Sequence, residues 1–292
     1  MSNENNWRMN VNEKDIRFKN VMVALCPPII YLFITMFVEV VADIILFVRQ
    51  AKSTSNSNSF MSSYKFMDNI SNNLDKYSYL ITFISAAIAI FIFGYYYFRH
   101  KNTYEDYKLS KVFTSLKVND YLYLIIIGAI GSVGLSRFVS MLPLDNIIGN
   151  YENTGNALLS GNIILQIVSL GIVVPIAEEL IYRGLLFTGL TKVIDAKYAI
   201  FVASFVFGVF HYNLLQGTYT FLLSLILICV YMKYKCILAP IIIHACTNTV
   251  AVISSYFGIS SFLNRNIWIY LLIMVVELVI GVIGFELIMK ED

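Results

Sequence analysis

A chain of 292 residues that is 58% hydrophobic and 14% charged cannot cover its surface in water, because soluble domains carry about 25% charged residues. Its mean hydropathy of +0.70 makes the bilayer its natural solvent, with one membrane domain and no separate soluble one. A net charge of +2 gives no basis for nucleic-acid binding.

The first twenty residues, MSNENNWRMNVNEKDIRFKN, are polar and lack the apolar core of a signal peptide. Residues 1–20 read as a cytoplasmic tail and 21–290 as the membrane domain. With about 20 apolar residues per crossing, eight spans are predicted: Val21–Val48, Tyr79–Phe98, Tyr121–Leu142, Ile163–Ala177, Ala199–His211, Tyr219–Met232, Leu238–Phe257 and Ile267–Met289. The fourth is expected to continue as helix to Leu190. If the N-terminus is cytoplasmic, lysines and arginines alternate along the chain with an inside bias of about three to one. Both termini are therefore expected in the cytoplasm of a multi-pass cell-membrane protein.

Between the first two spans, Gln50–Lys76 contains STSNSNS and reads as a flexible external loop. The loop Arg99–Asp120 is basic, as positive-inside loops are, and its interleaved aromatics would also suit an anionic leaflet surface. Glu39 and Asp43 in the first span and Arg137 in the third suit an interhelical ion pair, and Glu277 in the last a structural role. Gly128, Gly131 and Gly134 suit close helix packing. The four cysteines form no C-x-x-C pair, so neither a disulfide framework nor a thiolate zinc site is supported.

Three polar groups fall in the apolar second half. The first is Pro175-I-A-Glu178-Glu179-L-I-Y-Arg183-G. Adjacent glutamates diverge by about 100° on a helix, whereas Glu179 and Arg183, four apart, share a face. That spacing lets Arg183 neutralise one carboxylate and leaves the other free to exchange protons. The second is Phe207-G-V-F-His211, where a lone histidine closing an apolar run is by itself more often structural than catalytic. The third is Pro240-I-I-I-His244-A-C-T-Asn248, whose His and Asn project from one face and would also serve as an interhelical hydrogen-bonding pair. Pro175 and Pro240 each remove a backbone donor, and the carbonyls expected to be freed lie near Gly171 and Cys236.

The combination E-E-x-x-x-R, F-x-x-x-H and H-x-x-x-N, in this order on separate membrane helices, resembles the CPBP family of CAAX-processing proteases and bacteriocin-processing or immunity (Abi) proteins. The likeness covers about 171–251. It implies an all-α bundle of about eight transmembrane helices with a membrane-embedded catalytic cavity. It further implies that Glu178 and His211 activate a water, that His244 and Asn248 stabilise the oxyanion, and that Glu179 and Arg183 support the site. The implied activity is intramembrane cleavage of a membrane-delivered peptide or protein precursor.

Chemistry agrees with that implication, since peptide hydrolysis needs an activated water and a donor to the oxyanion. A zinc ion would need three protein ligands. Glu178, His211 and His244 are the candidates, although H-E-x-x-H is absent; a metal-free mechanism is favoured. The competing readings are a bacteriocin self-immunity or regulatory scaffold that needs no proteolysis, and a cation-coupled transporter, against which the absence of an inverted repeat counts.

Overall fold

The structure, a computed structural model, describes residues 11–53, 60–104, 116–144, 162–211 and 213–290. Nine helices are described: α1 Val11–Ser53, α2 Phe60–Tyr104, α3 Val118–Ser140, α4 Ile163–Leu190, α5 Ala196–Val209, α6 Leu214–Tyr234, α7 Leu238–Tyr256, α8 Ile259–Leu263 and α9 Ile267–Lys290. Seven of them, all but α5 and α8, are long and apolar enough to cross a membrane, and large apolar side chains stand exposed along them. This is an all-α polytopic membrane bundle. The predicted fifth span corresponds to α5. Its 14 residues reach only about 21 Å at 1.5 Å per residue, short of the roughly 30 Å hydrocarbon layer.

Other boundaries also differ from expectation. Helix α1 begins at Val11, inside the stretch read as a tail. The loop expected over Gln50–Lys76 is helical through Ser53 and again from Phe60 onward. Phe60, Tyr64, Met67, Ile70 and Leu74 recur at three- and four-residue intervals, the period of an amphipathic helix, and the polar residues among them hid it. Residues 105–115 of the basic loop and 54–59 lie outside the described residues.

Helices α4 and α7 occupy the centre. Around α4 pack α1, α2, α5 and α7, while α3 and α6 pack on α7 and α9 packs on α3. Glycines set the closest approaches. A Cβ on Gly131 would lie 2.5 Å from Gly281 Cα of α9, and one on Gly171 would lie 2.6 Å from Thr249 Oγ1 of α7. The α5–α6 pair closes backbone to backbone, with a Gly208 Cβ position 2.7 Å from the Gly217 carbonyl. The start of α3 is tied to the end of α6 by Asp120, which accepts from Lys117 N–H at 2.6 Å and from Tyr234 O–H at 2.8 Å.

Arg137 does not pair with Glu39 or Asp43. Its Nε donates to Glu277 Oε2 at 2.9 Å, because α3 packs on α9 whereas α1 packs on α2 and α4. Glu39 and Asp43 are exposed on α1. Glu277 thus has the structural task expected of it, and it, rather than an α1 acid, is the counter-charge of Arg137.

Candidate active site

Helix α4 carries the first group of polar residues, and its backbone is unusual there. Two π-helical segments, Ile167–Val173 and Leu180–Phe187, bracket a short α segment, Val174–Glu179. Such turns widen a helix and recur at functional sites. In the first segment Val174 N–H donates five residues back to the Ser169 carbonyl. The next donor in that register is Pro175, which has no N–H. Leu170, rather than Gly171, is therefore the carbonyl left without its backbone partner. Asn248 of α7 fills the vacancy, its Nδ2 donating to Leu170 O at 3.1 Å. Pro240 has a milder effect. It sits in the first turn of α7, where its missing N–H would have had no intrahelical partner, and Cys236 lies outside the helix.

The Asn248 bond carries a prediction. Replacing Asn248 by Leu strands a carbonyl at membrane depth, a loss of about 1–3 kcal/mol. Thermal unfolding in detergent should show a lowered Tm. An unchanged Tm would mean that the carbonyl finds another donor.

Eight residues further along α4, the two glutamates separate. Glu179 is fully buried: its Oε1 accepts from Arg183 Nη1 at 2.9 Å and faces His244 Nδ1 at 2.8 Å. Arg183 is equally buried, and its guanidinium lies 4.6 Å from the centroid of the Phe207 ring, a cation–π contact. Glu178 points elsewhere. Its side chain is 15% exposed, and its Oε2 is 3.5 Å from His244 Nε2. His244 therefore stands between the carboxylates with a nitrogen towards each. A carboxylate only accepts, so Nδ1 carries the proton directed at Glu179. A neutral ring would then turn a lone pair on Nε2 towards Glu178, and the approach is favourable only with one more proton, held on the ring or on the carboxyl.

His211 follows the last turn of α5. Its Nδ1 is 2.8 Å from the Phe207 carbonyl; since a carbonyl only accepts, Nδ1 donates and the neutral ring keeps Nε2 as an acceptor. Phe207, four residues back, joins the groups. Its ring lies 4.9 Å from that of His211, 5.9 Å from His244 and 4.7 Å from Tyr182, all edge-to-face. Glu178, His244 and Arg183 all act electrostatically on the His211 ring.

The structure thus brings Glu178, Glu179, Arg183 and His244 into one contiguous network, with His211 across the Phe207 ring. Asn248 lies on the same side of α7, engaged about two turns away along α4. Among the described residues, no three His, Cys, Asp or Glu side chains form a metal-holding group. Sequence reasoning named Phe207 only as a motif letter. Its place four residues before His211 was the available signal, since such a pair shares a helix face. The Leu170 carbonyl had no signal beyond Pro175.

Residues 160–250 match the family model described as type II CAAX prenyl endopeptidase, Rce1-like, which supports assignment to the CPBP/Rce1 type. The chain is also similar to UPF0177 protein YxdF of Lactococcus lactis subsp. lactis (strain IL1403), at 26% identity over 166 residues that span 55% of this chain and 86% of that protein. No solved structure matches.

Proposed function

We propose, on the premise that residues 160–250 form a domain of the CPBP/Rce1 type, that the protein is an intramembrane endopeptidase acting on a membrane-delivered peptide or protein precursor. One observation carries this reading: of two adjacent glutamates, Glu179 is spent on Arg183 and His244, while Glu178 keeps an exposed edge with one oxygen 3.5 Å from His244 Nε2. Glu178 takes a proton from water, and His211 Nε2 accepts the second O–H and orients the attack. The water oxygen bonds to the scissile carbon, the carbonyl π pair moves onto oxygen, and collapse breaks the C–N bond as Glu178 returns the proton to the leaving amine. Glu179 and Arg183 hold His244, and His244 holds Glu178. A complete network buried in the bundle argues against a scaffold that has shed its chemistry.

The reaction uses side chains and water alone. Purified protein in liposomes, treated with chelator, should still cut an internally quenched peptide ending in a prenylated Cys-aliphatic-aliphatic-X sequence. Activity lost to the chelator and restored by zinc would overturn the metal-free form of the reading.

A further inference from the structure

The contacts of His244 with Glu179 and Glu178 are made across two helices, so their lengths depend on what fixes α7 in place. The turn of α7 that carries His244 runs from Ile243 to Thr247, and its rear rests on α3. We propose that Thr247 is a positioning residue for the glutamate–histidine site, its hydroxyl tying the His244 turn to α3 and so setting where the imidazole meets the two carboxylates; this rests on the endopeptidase reading above.

The opposing stretch of α3 is itself a π-helical segment, Ile127–Gly131. Ser132 directs both its N–H and its hydroxyl five residues back, to the Ile127 carbonyl. The next carbonyl, that of Gly128, accepts from Thr247 Oγ1 at 3.1 Å. Thr247 is buried, and its single hydroxyl proton is shared between Gly128 O and its own Ile243 O, the latter at 2.9 Å. Bonding four residues back is the ordinary habit of a threonine within a helix; the bond to α3 is the one that joins two elements. Gly128 lets the helices come close enough for it. A Cβ there would run into the Ile243 carbonyl and lie 2.9 Å from Ile243 Cα and 2.8 Å from Cys246 Cβ, so the two backbones touch as small residues allow.

His244 lies between these contacts in the chain. It projects about 100° from Ile243 and about 60° from Thr247 around the helix, onto α4, where Nδ1 is 2.8 Å from Glu179 and Nε2 is 3.5 Å from Glu178. Thr247 takes no part in the proton transfers. Its hydroxyl acts through the backbone of one turn, holding that turn at the depth and rotation at which the ring reaches both carboxylates. Without it, the Gly128 carbonyl loses this donor and α7 can rotate on the glycine surface of α3. A shift of about 1 Å at a reacting group costs about 10²-fold in rate.

The test compares Thr247→Val, which keeps the shape of the side chain and removes its hydroxyl, with Thr247→Ser, which keeps the hydroxyl. Both are assayed beside Glu178→Gln in liposomes with the quenched prenylated peptide. Thr247→Val should lose about 10- to 10²-fold in kcat per folded molecule, with KM close to wild type, and Thr247→Ser should restore the rate. A change confined to Tm or KM overturns the assignment, as does a serine variant no faster than the valine one. Thr247→Ala supplies the same comparison if Thr247→Val does not fold; if neither variant lacking the hydroxyl folds, the bond holds the bundle as a whole and the positioning role falls. If wild type cuts, Glu178→Gln does not, and Thr247→Val cuts at the wild-type rate, the Thr247 role falls and the endopeptidase reading stands. If wild type leaves the peptide whole, both fall together.

Discussion

Arg183→Met is expected to lower Tm by roughly 6–20 °C. The guanidinium is fully buried between Glu179, at 2.9 Å, and the face of Phe207. Without it the Glu179 carboxylate stays buried with only His244 as partner. Breaking a buried ion pair by removing one member costs about 3–5 kcal/mol, and each kcal/mol is worth roughly 2–4 °C at this size. Removing both charges is far gentler, because no uncompensated ion is left behind. Arg183→Met combined with Glu179→Gln should therefore melt closer to wild type than Arg183→Met alone. Thermal unfolding of detergent-purified variants decides the matter. A single variant as stable as wild type would show that the pair is not ionised in the folded protein.

Glu178→Gln is expected to fail in the opposite way. The amide is nearly isosteric and lies at the partly exposed edge of the network, so Tm should hold to within a few degrees. It cannot accept water's proton, however, and general acid–base catalysis is worth about 10²- to 10⁴-fold. Turnover should fall by that factor with little change in KM. Glu179→Gln, one residue away, should lose Tm first, because it deprives buried Arg183 of its counter-charge. Steady-state kinetics and melting curves for the two glutamine variants separate the roles. Wild-type turnover by Glu178→Gln would place the proton acceptor elsewhere.

Much of the bundle was legible in the sequence, for a simple reason. Lipid demands long apolar helices, and windows of about 20 apolar residues mark them without knowledge of tertiary contacts. The spans at Ile163–Leu190 and Leu238–Tyr256 lie close to their predicted limits. The helical stretch after Phe60 was less legible because its apolar residues are diluted by Ser, Asn and Lys, so periodicity rather than mean hydropathy carried the signal. Within the site, the Glu179–Arg183 pair was legible because both residues lie on one helix at a fixed spacing. The partner of Arg137 was not. Glu39, Asp43 and Glu277 are equally plausible acids until the neighbour of α3 is known, and that neighbour, α9, is set by a glycine contact between Gly131 and Gly281. The Asn248–Leu170 bond was hidden for a related reason: it depends on a local π register that shifts by one residue the carbonyl orphaned by Pro175. His244 and Asn248 read from sequence as a matched pair, yet one meets carboxylates and the other a carbonyl.

The central claim is spatial: a peptide bond, a water, Glu178 and His211 meet inside the bundle. An experimental structure of Glu178→Gln with the uncut prenylated peptide bound tests it most directly. The scissile carbonyl should sit within hydrogen-bonding reach, about 3.5 Å or less, of a water held by residue 178 and His211 Nε2. A peptide seated against another face, with neither side chain near its carbonyl, would contradict the account.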